Sequence, residues 1–178
     1  MMEDGDKENL EAPGIALRCK ELFLDWLFIS AYLLLLLIIT LTNYLLIFNE
    51  IPVFTNVQSQ LIAAFTSIVP LIIIFSIMEG KKHFASWGKR KTNLKVIYKG
   101  NPMKGSIIRN TLKFLPWQFG HMSTINGIYN DFDSPFSLVS LSLSITLAIV
   151  YILMVFVRKD NRHIADLLSG STVVKVVV

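Results

Sequence analysis

The longest apolar run of the sequence extends from Leu22 to Phe48 and contains one charged residue, Asp25. A helix needs roughly 20 residues to cross a hydrocarbon core of about 30 Å. These 27 residues are therefore long enough to span a bilayer with some tilt. Two further runs, Leu61–Met78 and Phe136–Val157, contain no charged residue. Charged residues make up 17% of the chain, against about 25% in soluble domains. The sequence predicts an integral membrane protein and not a soluble enzyme.

The distribution of lysine and arginine orients these runs. Ten of these residues, and no acid, lie between Lys81 and Tyr129. Others lie directly before the first run and directly after the last, whereas residues 49–60 contain none. Because loops rich in Lys and Arg stay in the cytoplasm, the basic block and both termini are predicted to be cytoplasmic. Four crossings are then needed, and Ile107–Tyr129 is the segment available for the fourth.

The segment Ile107–Tyr129 is less apolar than the other runs and has two faces. Arg109, Lys113 and His121 are among the polar residues on one side of its helical projection. The segment either spans or re-enters the membrane with its polar side towards other helices, or lies in the interface as an amphipathic helix. A proline within a span, such as Pro70, is expected to kink the helix and to leave a carbonyl for a neighbour to satisfy.

The predicted fold class is an all-α integral membrane protein with about four transmembrane or re-entrant helices and a small cytoplasmic β-hairpin element. Residues 1–14 are predicted to form a disordered acidic tail, followed by a membrane domain over residues 15–178. The loop 80–106 and the tail 158–178 are predicted to be cytoplasmic. The predicted spans cover residues 22–48, 59–79, 107–129 and 136–157.

The cytoplasmic segments carry short β signals. In Asn93–Ser106, alternating apolar residues lead into Lys99-Gly100-Asn101-Pro102, which is typical of a turn, so a hairpin is predicted. The β-branched stretch Thr172–Val178 is predicted to be a strand that pairs with this hairpin. Between them, Arg162–Ser169 is predicted to be a short helix that stops at Gly170.

Asp25 is the strongest candidate for chemistry, because a carboxylate within a membrane helix costs roughly 2.5–3.5 kcal/mol on insertion scales. We expect it to be the one acid inside the membrane. It either binds a cation or a proton in a pathway, or turns to the interface and pairs with Arg109, Lys113 or a backbone donor. Arg18 lies on the same helical face seven residues earlier, about 10 Å away along the axis. Arg18 and Asp25 are therefore expected to meet different partners.

Two other residues are candidates for the same polar network. Asp166, in the predicted tail helix, either locks the tail to Arg18 or Arg109, or is a solvated acid or a helix cap. His121 either relays protons or hydrogen-bonds a neighbouring helix. No cluster of His, Cys or carboxylates has the spacing of a metal site and no phosphate-binding glycine loop occurs, so neither a metal nor a cofactor is expected.

Several short motifs follow one another in a recognisable order. They are Arg18 before the first run, Gly88-Lys89-Arg90 followed by NLKVI, Arg109 followed by NTLKFLPWQFGH, and the closing HIADLLSGSTVV. Over Leu17 to Val174 this order resembles the RDD family of membrane proteins, named for one arginine and two aspartates. Arg18, Asp25 and Asp166 match those three positions. The resemblance implies transport of unidentified ligands, and some members of that family look like sodium–proton antiporters.

Two hypotheses about function follow. The first is ion transport, with cation–proton exchange through Asp25. The second is a non-transporting membrane scaffold or regulatory subunit, with its basic loop on anionic lipid or a partner. The expected location is the cell membrane, and the expected partners are the lipid bilayer, anionic lipid at the cytoplasmic face and further copies in a homo-oligomer, with no nucleic acid. The residues expected to form the pathway or a structural polar network are Arg18, Asp25, Arg109, Lys113, His121 and Asp166.

Overall fold

The computed structural model describes residues 10–48, 50, 52–81 and 83–176. The elements of the described chain are β1 (Leu10–Glu11), α1 (Ile15–Asn43), α2 (Asn56–Ala63), α3 (Val69–Gly80), α4 (Trp87–Lys91), β2 (Leu94–Tyr98), α5 (Pro102–Tyr129), α6 (Pro135–Val157), α7 (Ile164–Leu168) and β3 (Ser171–Val176). Two π-helical segments of this described chain, Tyr44–Phe48 after α1 and Ala64–Ile68 between α2 and α3, continue their helices.

Within the described residues, three helical stretches are long and apolar enough to cross a membrane: Ile15–Ile47, Asn56–Gly80 and Pro135–Val157. Many of their apolar side chains are exposed, as Leu35 in α1 and Ile152 in α6 illustrate. Such an extended apolar surface is expected where lipid, and not water, surrounds the helices. The prediction of a mostly helical membrane protein with a small β element is confirmed. The first helix begins at Ile15, earlier than the predicted start at residue 22.

Helix α5 runs unbroken through Ile107–Tyr129, the segment predicted either to enter the membrane or to lie in the interface. It starts at Pro102, where the side chain of Asn101 accepts a hydrogen bond from a backbone N–H of the first turn at 3.1 Å. It packs along both α3 and α6. Arg109 on this helix is buried, whereas Ile108 is exposed. The Arg109 end of the polar side of this segment therefore packs against other helices, while Thr124, near its other end, is exposed.

Two prolines leave carbonyl groups that neighbouring helices satisfy. Pro70 and Pro116 have no N–H, so the carbonyls four residues earlier, on Thr66 and Leu112, lose their usual donor. The hydroxyl of Tyr32 in α1 donates to the first carbonyl, and a tyrosine hydroxyl of α6 donates to the second at 2.9 Å. These bonds tie α1 to the π-helical segment before α3 and α6 to α5, as expected for prolines in apolar surroundings.

The three strands form an antiparallel sheet in the order β1–β3–β2. Val96 of β2 lies opposite Val173 of β3, and both side chains are buried. The predicted pairing of the C-terminal strand with the segment after the basic loop is confirmed. The predicted hairpin within Asn93–Ser106 is wrong, because β2 ends at Tyr98 and the chain enters α5 at Pro102. The C-terminal strand β3, and not a second hairpin strand, is the partner of β2.

We call β1, α4, β2, α7 and β3 together the platform. Its core of Leu94, Val96 and Val173 is separate from the bundle core, which includes Phe75 and Phe114. The short helix α7 forms within its predicted range, and Gly170 follows it with a φ of 64°, the left-handed conformation that favours glycine at a helix end.

Residues 1–9 of the acidic tail predicted over residues 1–14 lie outside the described residues. Within the described part, Leu10–Glu11 pair with β3 as strand β1, so the prediction of disorder is wrong for these two residues. The reason is that β3 offers an unpaired edge on the side away from β2, and the chain before α1 reaches it.

Candidate functional site

In the part of the chain that the structure describes, eight charged side chains meet where the long helices α1, α3 and α5 contact the platform. Seven of them are at most 2% exposed, and the eighth, Lys113, is 16% exposed. Four are acids and four are bases, so their formal charges cancel. We call this set the ion-pair network. Its members are Arg18, Glu21, Asp25, Glu79, Lys89, Arg109, Lys113 and Asp166.

Lys89 in α4 is the cation that joins α1 to α3. Its ammonium contacts Glu21 of α1 and lies 2.9 Å from Oε1 of Glu79 at the end of α3. Glu21 also accepts a hydrogen bond from Arg18 at 2.9 Å. Burial would lower the pKa of Lys89, but the carboxylates of Glu21 and Glu79 outweigh it and raise that pKa above its usual value. Lys89 is therefore held as an ammonium ion among acids.

Asp25 anchors α4 to α1. Ser86 Oγ donates to its Oδ2 at 2.7 Å, and the backbone N–H of Gly88 donates to its Oδ1 at 2.8 Å. The ammonium groups of Lys89 and Lys113 each lie 3.8 Å from Oδ2. A carboxylate that accepts two buried hydrogen bonds beside two cations has little capacity left for a metal cation.

Arg109 joins α3, α5 and α7. Its Nε donates to Asp166 Oδ1 at 2.6 Å, and its Nη1 donates to Oε2 of Glu79. Asn110 donates to the same Glu79 oxygen at 3.1 Å and to the carbonyl of Ser106 at 3.0 Å. The guanidinium group therefore holds the end of one candidate span and the tail helix in fixed positions.

Asp166 also organises the start of the tail helix. Its carboxylate accepts hydrogen bonds from the backbone N–H of His163 at 3.3 Å and from Ser171 Oγ at 3.1 Å. Burial would raise the pKa of Asp166, but the Arg109 guanidinium and the other nearby cations outweigh it and hold that pKa well below its usual value. The tail helix is thus attached through an ionised carboxylate.

His163 stacks on Tyr151 with ring centroids 5.4 Å apart and accepts a hydrogen bond from the backbone N–H of Asp166. Burial is the largest influence and lowers the pKa of His163 to about 4, despite the nearby Asp166 carboxylate. The 3.5 Å contact between their side chains is therefore not an ion pair at neutral pH.

Acidification is expected to release the tail helix from the bundle. Because the pKa of His163 falls from 6.5 to about 4 on folding, the docked tail binds fewer protons than the free tail in that window. The equilibrium constant for docking of the tail helix has its full value above pH 6.5. It falls by up to about tenfold for each pH unit below 6.5. The lowered pKa of Asp166 extends the loss below its usual 3.8. Hydrogen exchange of the β3 amides, corrected for the intrinsic rate, measures this docking equilibrium. If the dependence of protection on pH had the same slope in His163→Gln as in the wild type, the prediction would be contradicted.

The structure brings five of the six predicted site residues together. Arg18 and Asp25 meet different partners, as expected, and Asp166 contacts Arg109. Arg109 does not contact Asp25, since it lies between Glu79 and Asp166. His121 lies apart, eight residues beyond Lys113 or about 12 Å along α5. Its Nε2 accepts a hydrogen bond from Trp117 at 2.9 Å.

Sequence reasoning missed Glu21, Glu79 and Lys89. Asp25 is not the single buried acid of the candidate spans, because Glu21 and Glu79 are also buried in helices that qualify as spans. The signal for Glu21 was its position between Arg18 and Asp25, three and four residues away on one helical face. Among the residues that the structure describes, no group of three or more His, Cys, Asp or Glu side chains could hold a metal ion.

Apolar spans, a buried polar network at one end and a small sheet against it define a helical membrane protein. The sequence model of the RDD family matches residues 13–170, and the chain belongs to this family. No curated protein and no solved structure matches the chain. The arginine and two aspartates that suggested the family, Arg18, Asp25 and Asp166, all lie in the ion-pair network.

Proposed function

We propose that the protein crosses the cell membrane four times, with α5 as the fourth span and both termini in the cytoplasm. Support for α5 comes from its 28 residues, about 42 Å of helix, packed along two helices. The charges at the two ends support the orientation. Opposite the platform, the described residues include Glu50, Asp131 and Asp133 but no Lys or Arg. The exposed cations lie at the platform end, which the positive-inside rule assigns to the cytoplasm.

We further propose that the protein acts as a membrane scaffold or regulatory subunit that presents the platform at the cytoplasmic face. The observation that carries this proposal is the closure of the ion-pair network, in which every acid faces at least one base. Breaking one partner out of such a network leaves a buried charge unpaired, which is strongly unfavourable. The network therefore favours one fixed arrangement of platform and spans over an alternating one.

Cation–proton exchange through Asp25 would have to work against this arrangement. An incoming cation would displace the donors Ser86 and Gly88 and would meet the ammonium groups of Lys89 and Lys113 within 3.8 Å of the same oxygen. Like charges at that distance repel strongly in a medium of low dielectric constant. The geometry of Asp25 thus favours a structural role for this carboxylate.

One observation favours exchange as a second candidate function. The buried ammonium of Lys113 has no hydrogen-bond acceptor among the described residues, and it lies 4.9 Å from the centre of the Phe75 ring. A buried ammonium with an incomplete set of partners is a candidate for proton release. In this second proposal Lys113, and not Asp25, exchanges the proton, and a homo-oligomer encloses the pathway.

Ion flux in proteoliposomes distinguishes the two candidates. For a scaffold, vesicles containing the wild-type protein are expected to show no more gradient-driven Na⁺, K⁺ or proton flux than empty vesicles. The direction of insertion is measured with an Asp131→Cys variant that also carries Cys19→Ser. In the proposed topology the new thiol lies on the side of the membrane opposite the C-terminal tail, so an impermeant thiol reagent should label it from that side only. Flux that is present in wild type and lost in Lys113→Gln, with folding retained, would contradict the scaffold proposal and support exchange.

A further inference from the structure

Helix α4 is held at the level of the first turns of the first candidate span. Ser86 and Gly88, on either side of Trp87, both bond to the carboxylate of Asp25. The neighbour of Asp25 on α1, Trp26, is 56% exposed, and it stacks on the exposed Phe23. Exposed aromatic rings at a span end are typical of the boundary between acyl chains and headgroups. Helix α4 therefore lies beside that boundary.

The outer side of α4 is cationic. Gly88 and Lys89 face inwards and are buried, whereas Arg90 and Lys91 are exposed. Together with Trp87, these two cations line an open cleft of about 350 Å³. No ion pair joins Arg90 or Lys91 to any acid of the described residues. The cleft thus offers two unpaired cations and an amphipathic ring.

Within the described part of the chain, the surrounding surface does not offset this charge. Since the ion-pair network is neutral, the field at the platform end comes from the residues outside it. Against eleven exposed or partly exposed bases, the described residues of that end carry two acids, Glu11 and Asp160. The bases are Lys20, Lys81, Arg90, Lys91, Lys95, Lys99, Lys104, Arg158, Lys159, Arg162 and Lys175.

We infer that the cleft formed by Trp87, Arg90 and Lys91 binds the phosphate of an anionic phospholipid of the surrounding bilayer. A guanidinium group matches phosphate oxygens with two parallel hydrogen bonds, and an ammonium adds a point charge. The indole ring fits the depth of the headgroup region. The attachment of α4 to a lipid-facing helix favours a lipid over a ligand from solution. The inference holds whether or not the protein moves ions, because it uses neither Asp25 nor Lys113 as an exchanging group.

Quenching of Trp87 fluorescence by brominated lipid tests the site in the full chain. The protein has three tryptophans, so Trp26→Phe and Trp117→Phe leave Trp87 as the single emitter. In phosphatidylcholine vesicles, brominated phosphatidylglycerol is expected to quench Trp87 with a relative binding constant on the order of tenfold above that of brominated phosphatidylcholine. Arg90→Gln with Lys91→Gln is expected to bring this ratio close to one.

A matched control separates a defined site from general surface charge. Lys99→Gln with Lys104→Gln removes the same charge from exposed positions away from the cleft and is expected to leave most of the lipid preference intact. An equal loss in both double variants, or equal quenching by both lipids in the parent, would overturn the inference. Relief of quenching by millimolar inorganic phosphate would assign the cleft to a soluble anion, and relief by a single-stranded oligonucleotide would assign it to nucleic acid; either result overturns the lipid assignment.

Discussion

Replacement of Arg109 by glutamine is expected to lower the free energy of unfolding in detergent by about 3–5 kcal/mol. Glutamine is too short and carries no charge, so the carboxylates of Glu79 and Asp166 would remain buried without their shared cation. Burial of an uncompensated charge is one of the few mechanisms that produce a loss of this size. Chemical denaturation followed by tryptophan fluorescence measures it. The tail helix is also expected to lose its protection against hydrogen exchange.

Arg158→Gln is the matched control for this variant. Arg158 also binds an aspartate through its guanidinium, donating to both carboxylate oxygens of Asp160, but both side chains are well exposed. Exposed ion pairs contribute little to stability because water and salt screen them. Little change in stability is expected. If Arg109→Gln proved as mild as Arg158→Gln, the network would not be stabilising the fold as we describe.

Gly88→Ala is expected to detach α4 from α1 and to cost about 2–5 kcal/mol. A Cβ atom at this position would lie 2.8 Å from Asp25 Oδ1 and 2.9 Å from the Asp25 nitrogen, and it would also collide with the carbonyl oxygen of Glu21. These atoms belong to the backbone of α1 and to a buried carboxylate, so they cannot move aside easily. Removing these clashes requires a shift of α4, and that shift breaks the hydrogen bond from the Gly88 N–H to Asp25.

Gly100→Ala provides the comparison for Gly88→Ala. No atom lies within 4 Å of a Cβ built at Gly100, so an alanine there is expected to change stability little. Thermal unfolding and hydrogen exchange of α4 and β2 should separate the two variants clearly. Equal behaviour of the two alanine variants would show that the close approach of α4 to α1 is not required.

The apolar runs predicted the fold well because length and hydropathy are local properties. Leu61–Met78 and Phe136–Val157 lie inside helices of the structure with similar bounds. The hairpin prediction failed because the dipeptide Asn101-Pro102 is compatible with two different local structures. Asparagine and proline favour turns, but they also favour the start of a helix, and here they begin α5. The helix prevailed because the residues that follow have a long buried face on α3 and α6.

The sequence predicted five members of the candidate site and one of its pairs, Arg109 with Asp166, but not its other three members. Asp25 and Arg109 stood out because charges are unusual in apolar surroundings. Glu79 directly follows an uncharged run, and Lys89 lies in a basic loop, so both resembled ordinary loop residues. Their burial depends on α4 folding back onto α1, a contact between residues far apart in the sequence. The periodicity of a sequence does not predict contacts between distant residues. Arg18 and Glu21, in contrast, are three residues apart on one helix, and this spacing could have predicted their ion pair.

The central claim is that a neutral, closed set of charges joins the spans to the platform. A double-mutant cycle on Arg109→Gln and Glu79→Gln in detergent tests it most directly. Removing both residues leaves three acids and three bases, so the double variant should be more stable than additivity predicts, by about 1–3 kcal/mol. Losses that simply add would contradict the account, because Arg109 and Glu79 would then act as independent polar residues and not as members of one charge-balanced network.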